Sequence, residues 1–435
     1  MRMEDMIIVS VDDHIVEPPD LFDEVCPAKF RDRAPKLVRN ERGEDVWVFE
    51  GMPTVNFALN AVAGRRREEL GFEPSNFDHI RKGCYDVHAR VDDMNVNGIL
   101  ASLNFPTFVG TSLELFNNCK DRELGLAMIQ AYNDWHLDHW CAAYPARYIP
   151  MTSLPLFDMN AAVAELRRTA AKGVRTISFP SLPQLMGLPS IHDAYWKPLW
   201  GALCDLGLPI SIHITAAART GSEHLGMDSP IDAFLTKINM CAYAVATEWL
   251  WSRIPRDYKD IKVVLSEGGI GWIPYMMERA DLVQRNHGPW TRQDWGGRQP
   301  SEVFRDHFIS CFIEDRAGVE MRESIGIDNI TYEQDYPHAD ITWPNTPEQL
   351  HQRDLAGLPD EHIDKITHAN ALRVYRFDPF AIMPRDQCTV GALRARATHV
   401  DLTPIEGGGR PPSEGVSRVV TAADVAKQFA AFKLD

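Results

Sequence analysis

No run of apolar residues in the 435-residue chain is long enough to cross a bilayer, so no membrane-spanning helix is expected. No Cys-x-x-Cys pair occurs among the eight cysteines, at positions 26, 84, 119, 141, 204, 241, 311 and 388. That removes zinc-finger and disulfide-framework readings and leaves reduced packing residues in a cytoplasmic protein. Positive charge is scarce: 45 Lys and Arg face 61 Asp and Glu, a formal net charge of −16. Nucleic acid and anionic membranes are therefore poor partners. A small anionic substrate stays open, because the field inside a pocket can oppose the net charge. The N-terminal stretch MRMEDMIIVSVDDH has only a short apolar part with acidic residues in and beside it, and does not read as a signal peptide. No glycine-rich phosphate turn follows the first apolar run, which argues against an open dinucleotide-binding sheet. No internal repeat and no low-complexity stretch beyond a GGGRPP patch is present.

What the chain does have is a core: 45% hydrophobic and 24% charged residues, ordinary for a soluble globular protein. Eight short, apolar, β-branched runs read as strands: 7–13, 99–105, 147–154, 174–180, 209–214, 262–267, 308–314 and 329–335. Runs of this kind suit strands buried on both faces. Helical patterns lie between them. MNAAVAELRRTAAKG starts after Asp158 and ends in Gly173, and HDAYWKPLWGALCDLG ends in the same way at Gly207. Strands alternating with helices predict an α/β fold, and eight of them predict a closed (β/α)8 TIM barrel.

Two segments break the pattern. A long insertion, about 18–98, follows strand one and emerges where barrel active sites lie. A C-terminal extension, 378–435, follows a barrel expected over 1–377. The extension holds an extended TPIEGGGRPPSEG stretch and a short amphipathic helix opening at Thr421, and reads as an arm on a partner subunit or on the outside of the barrel.

The stretch SVDDHIVEPPDLF, Ser10–Phe22, ends a core strand in charge. Asp12 and His14 are two apart, so on a strand both face the barrel mouth. His213 stands near the end of strand five and Asp335 at the end of strand eight. Strand eight neighbours strand one in a closed barrel, and strand five faces them. Taken singly, Asp-x-His is a strand cap, His213 a core histidine and Asp335 a loop cap. Taken together they form a two-carboxylate, two-imidazole set suited to one divalent ion, zinc first, with manganese or iron as alternatives. A cation would compensate the buried charges.

The segments SVDDHIVEPPDLF, LGLPISIH, VVLSEGGIGWIPYMMERAD and YEQDYPHADITWP resemble the amidohydrolase superfamily. More closely they resemble its amidohydrolase-2 group, the aminocarboxymuconate-semialdehyde decarboxylase-like proteins, from about residue 6 to 377. The resemblance implies a barrel with a catalytic divalent ion, and the ligand pattern falls on Asp12, His14, His213 and Asp335. It implies hydrolases, or non-oxidative decarboxylases of small, often aromatic or unsaturated, carboxylic acids. The chain departs from the group at the end of strand six, where an acid/base histidine is implied and Glu267 stands. The arginine that would hold a substrate carboxylate has only positional candidates, Arg65–Arg67 and Arg279. The insertion aromatics in VWVFEG, VNFALN and NFDHI are candidates for the pocket wall. Glu17 is a loop-fixing candidate, and Asp13 points away from the ion by strand alternation. Asp340 is placed to orient His338.

The expectation is a metal-dependent hydrolase acting on a small organic, carboxylic or aromatic, substrate. Asp335 or Glu267 would move the proton and His338 would steady the oxyanion. The alternative is a non-oxidative decarboxylase on the same site. A catalytically silent barrel scaffold is the third reading. A homo-oligomer, a dimer first, is expected from the tail and the resemblance.

Overall fold

The computed structural model describes residues 1–54, 61–71, 73–214, 226–410 and 419–425. Eight parallel strands form the centre: β1 (Val9–Ile15), β2 (Ala101–Pro106), β3 (Tyr148–Ile149 continued by Met151–Ser153), β4 (Thr176–Pro180), β5 (Ile210–His213), β6 (Val263–Ser266), β7 (Phe308–Phe312) and β8 (Ile330–Tyr332). Each falls on one of the runs picked from sequence, with β1 shifted so that it includes His14. The two halves of β3 lie at opposite ends of the hydrogen-bonded order. Tyr148 and Ile149 pair with β2, while Met151–Ser153 pair with β4. Pro150, which has no N–H to give, separates the halves. They are one strand, so the sheet closes, and β8 meets β1 at Ser10 and Tyr332.

Every described strand residue of the barrel is buried, so the strands are apolar without alternation, as covering by helices requires. The helices form where caps and periodicity predicted. Met159–Ala170 starts on Asp158, whose side chain accepts from the Asn160 and Ala161 amides. Lys197–Leu206 stops at Gly207 in the left-handed conformation (φ +63°). All eight cysteines are free, seven of them buried. Among the described residues no helix is long and apolar enough to cross a membrane.

The insertion carries a small antiparallel sheet of Lys36–Arg39, Asp45–Phe49 and Met52–Thr54. Its described aromatics join the core: Trp47 stacks on Phe108 at 4.4 Å, and Phe49 meets Phe116 edge-on. VNFALN (55–60) lies outside the described residues, as do 411–418 and the continuation of the tail helix past 425. The extension returns along the same face. Gly409–Arg410 pair with Glu73–Pro74, and the Arg65 guanidinium donates to the Gly407 carbonyl.

Two buried polar side chains brace the loops at the strand ends. Arg90, on the helix Val87–Val96, donates to the carbonyls of His14 (2.6 Å) and Gly83 (2.6 Å) and packs on the Tyr336 ring. Glu17 accepts from the amides of Thr107 (2.9 Å) and Phe108 (3.0 Å) and from the Tyr132 hydroxyl. It thereby links the loops after β1 and β2.

Burial pushes the Glu17 carboxyl from 4.5 up to about 7, against the pull of its donors. The folded chain therefore holds a proton that the unfolded chain has released between those values. The associated stability is complete below about 4.5 and is lost as pH rises through about 7. Denaturant titration of the wild type is expected to lose up to about 3 kcal/mol across this window from Glu17. Glu17→Gln should flatten that part of the slope, and an unchanged slope would refute the assignment.

Candidate metal centre

The C-terminal ends of β1, β5, β6 and β8 converge on one point. β1 supplies Asp12 and His14, and β5 supplies His213. The residue after β6 is Glu267, and the turn after β8 carries Asp335 and His338. The pairing of β1 with β2 slips by one residue between Ser10 and Asp13, a bulge that re-aims the strand end. Glu267 and Asp335 both sit at φ +60°, a conformation that non-glycine residues seldom adopt. Backbone bonds hold both in place. The Glu267 amide donates to the Glu333 carboxylate at 2.9 Å, and the Asp335 amide to the Asp12 carbonyl at 2.9 Å.

The side-chain donor atoms lie close together around His14. His14 Nε2 and His213 Nε2 are 3.1 Å apart. His14 Nε2 lies 3.6 Å from Asp12 Oδ1 and 3.5 Å from Asp335 Oδ1. His213 Nε2 lies 3.8 Å from Asp12 Oδ2 and 3.3 Å from Glu267 Oε2. Two overlapping donor groups result, Asp12–His14–His213 and His14–Asp335–His338. The His338 ring stacks on His14 at 3.9 Å, and its Nδ1 bonds Asp335.

Several of these donors have no partner in the protein. Neither oxygen of Asp12 has a hydrogen bond among the described residues, nor do Asp335 Oδ1 and His338 Nε2, although all are buried. Burial, with Glu333 next in effect, drives the Asp12 and Asp335 carboxyls well above the carboxylate range. Burial also drives His14 well below the usual imidazole value and His213 to about 3. The imidazoles are thus kept neutral with their Nε2 atoms turned to each other, and the acids have no cation beside them among the described residues. A divalent ion satisfies both conditions, so the donor set fits one.

The site opens into a cleft of about 220 Å³. His14, His213, Glu267, Asp335 and His338 lie on one side, while Phe234, Leu235 and Ile238 give the other an apolar wall. No Lys or Arg lines the cleft among the described residues. The arginine candidates lie elsewhere. Arg65 is buried under the tail, donating to the carbonyls of His79 and Gly407, while Arg66, Arg67 and Arg279 are exposed.

Asp12, His14, His213, Asp335, Glu267 and His338 are thus brought together. Asp13 turns away, accepting from Ser10 Oγ, Gln334 Nε2 and the Tyr336 amide. Asp340 is exposed, and the bond that orients His338 comes from Asp335. The amides of Ile270 and Gly271 donate to Asp315, which leaves Glu267 to the cleft. Two residues were missed by sequence reasoning. Glu333 stands two before Asp335, and the alternation already used for Asp12 and His14 would have put it on the same face. Arg90 carried no local signal.

Asp12 is the most isolated buried carboxyl of the set. In metal-free protein its cost grows with pH, since the folded chain must keep a proton that the unfolded chain gives up. Asp12→Asn should therefore stabilise the metal-free chain by about 1–3 kcal/mol, more at high pH than at low. The same change should abolish the stabilisation that added zinc or manganese gives the wild type. Thermal scans with and without metal decide it, and a variant still stabilised by metal would remove Asp12 from the ligand set.

The family model described as amidohydrolase matches residues 88–377. A gamma-resorcylate decarboxylase of Rhizobium sp. is 24% identical over 348 residues, covering 73% of this chain and 96% of its own length. A crystal structure of an amidohydrolase from Mycobacterium avium subsp. paratuberculosis superposes with a TM-score of 0.66 at 20% identity, over 85% of this chain and 99% of that one. A dihydroxybenzoic acid decarboxylase from Polaromonas sp., with bound manganese and the inhibitor 2-nitroresorcinol, gives a TM-score of 0.57 at 17% identity, over 87% of this chain and 98% of that one. With two thirds of its length matched by one family model over a closed barrel, this chain is an enzyme of the amidohydrolase-2 family.

Proposed function

We propose that the chain is a metal-dependent carboxy-lyase that removes CO₂ from a small aromatic or unsaturated carboxylic acid. Hydrolysis stood first on sequence alone. The observation that reverses the order is the curated decarboxylase aligned over 96% of its own length. The cleft is compatible with that chemistry, with metal donors on one side and an apolar wall on the other.

Asp12, His14, His213 and Asp335 would hold the ion, zinc or manganese. When bound, it supplies the positive charge that a substrate carboxylate and a neighbouring oxygen need, in a cleft whose described lining holds no Lys or Arg. The protein's own groups do the rest. The apolar wall packs the flat part of the substrate and excludes water. Glu267, beside His213, transfers a proton to the ring carbon that carries the carboxylate. The carbon–carbon bond then breaks, its electron pair stays on the ring, and CO₂ leaves. Glu267 recovers a proton from solvent, so the balance is carboxylate plus proton to arene plus CO₂. His338, fixed through Nδ1 by Asp335, turns its free Nε2 toward the substrate oxygen. The eight free cysteines suit a reducing compartment, and this supports a cytoplasmic enzyme.

Hydrolysis remains the second reading, carried by Glu267, since a carboxylate can deprotonate water as readily as it protonates carbon. Turnover of a hydroxybenzoic acid panel in ¹⁸O-water separates the two. CO₂ release with no solvent oxygen in the organic product supports the lyase, and label in the organic product supports the hydrolase. Asp335→Asn and Glu267→Gln should each fold normally and lose about 10²-fold or more in kcat. Wild-type rates in either variant would sink its assigned role.

A further inference from the structure

The short helix Ile231–Lys237 buries none of its own residues, yet its Phe234 and Leu235, with Ile238 just beyond, form the apolar side of the metal cleft. Seven residues with no buried anchor do not hold a helix in place by packing. The backbone of the chain's far end does so. The Ile231 amide donates to the Val420 carbonyl at 3.0 Å. The Ala422 amide donates to Ser229 at 3.0 Å and the Ala423 amide to Met227 at 2.9 Å. Pro230 and Thr421 form an antiparallel bridge between the two segments. The tail is set for this contact by Asp424, buried at 2% exposure, whose carboxylate accepts from the Thr421 amide (2.9 Å) and hydroxyl (2.7 Å). These residues lie beyond position 377, where the match to the family model ends.

We propose that Val420–Asp424 is a strap that fixes the helix Ile231–Lys237 over the cleft, and that Phe234 behind this strap selects substrates by their flat apolar part. The inference rests on the metal-dependent reading above in so far as the cleft beneath the helix holds the ion. Tail residues distant in sequence thereby become positioning residues for substrate. The hydrogen bonds from the strap to this segment run from backbone to backbone, so it can set the height of the wall without contacting the ligand.

Two chelators with the same head and different tails test it: acetohydroxamate and benzohydroxamate, titrated by calorimetry into manganese-loaded full-length protein. Benzohydroxamate should bind the wild type about tenfold tighter or more, since only its ring meets the wall. Ala423→Pro removes one strap donor at a position where a helix start tolerates proline. Asp424→Ala loosens the strap by a different route. In both, and in Phe234→Ala, the ring's advantage should fall to about twofold while acetohydroxamate affinity and metal content stay unchanged. Amide exchange over Ile231–Lys237 should quicken about fivefold or more in the two strap variants, with or without metal. If neither hydroxamate binds the wild type, the metal reading has failed by itself, and the exchange experiment still decides the strap. Wild-type exchange in both strap variants overturns the strap. A retained ring advantage in Phe234→Ala overturns the wall.

Discussion

Everything at the mouth of this barrel depends on the burial of Asp12. Its carboxylate is wholly enclosed, with no donor for either oxygen among the described residues, and two neutral imidazoles point their nitrogens at the same space. A buried carboxylate without a partner costs several kcal/mol. A folded chain relieves that either by keeping the carboxyl protonated or by taking up a cation from outside the polypeptide. The same cation would answer for Asp335 and for the short distance between His14 and His213, so one ion accounts for three otherwise unrelated oddities.

The surrounding structure aims these donors. The bulge on β1 turns Asp12 and His14 into the mouth, and Arg90 clamps the His14 carbonyl from behind. Glu267 and Asp335 are each held left-handed by one hydrogen bond, to Glu333 and to the Asp12 carbonyl. Strain at two strand ends of one site fits a scaffold that gives up stability to position chemistry. Glu17 joins the loops that leave β1 and β2.

Much of this was legible in the sequence. The strands could be read because residues buried on both faces leave uninterrupted β-branched runs. The cluster of carboxylates and imidazoles at the mouth could be read because charge at the ends of such runs needs a reason. The helix limits followed from Asp158 and Gly207, whose caps are local chemistry. What escaped depends on contacts between distant segments. Arg90 lies in a helix whose sequence gives no hint that its guanidinium reaches the end of β1. Asp340 looked well placed to orient His338 three residues after Asp335, but the turn brings Asp335 itself to that nitrogen. Among the described residues the insertion aromatics Trp47, Phe49 and Phe77 join the core, and the apolar part of the cleft lining comes from Phe234 and its neighbours, on a helix that the sequence pattern did not mark. Glu333 was within reach of the alternation rule and was overlooked beside a more obvious aspartate.

The choice between decarboxylation and hydrolysis turns on what Glu267 does with its proton, and both depend on the ion being there. Metal content per chain, measured by plasma mass spectrometry on protein purified without chelator, is therefore the most direct test. The account predicts about one equivalent of zinc, manganese or iron, lost from Asp12→Asn and His213→Ala protein that remains folded. Folded wild-type protein that holds no metal, even after reconstitution with each of the three, would contradict it.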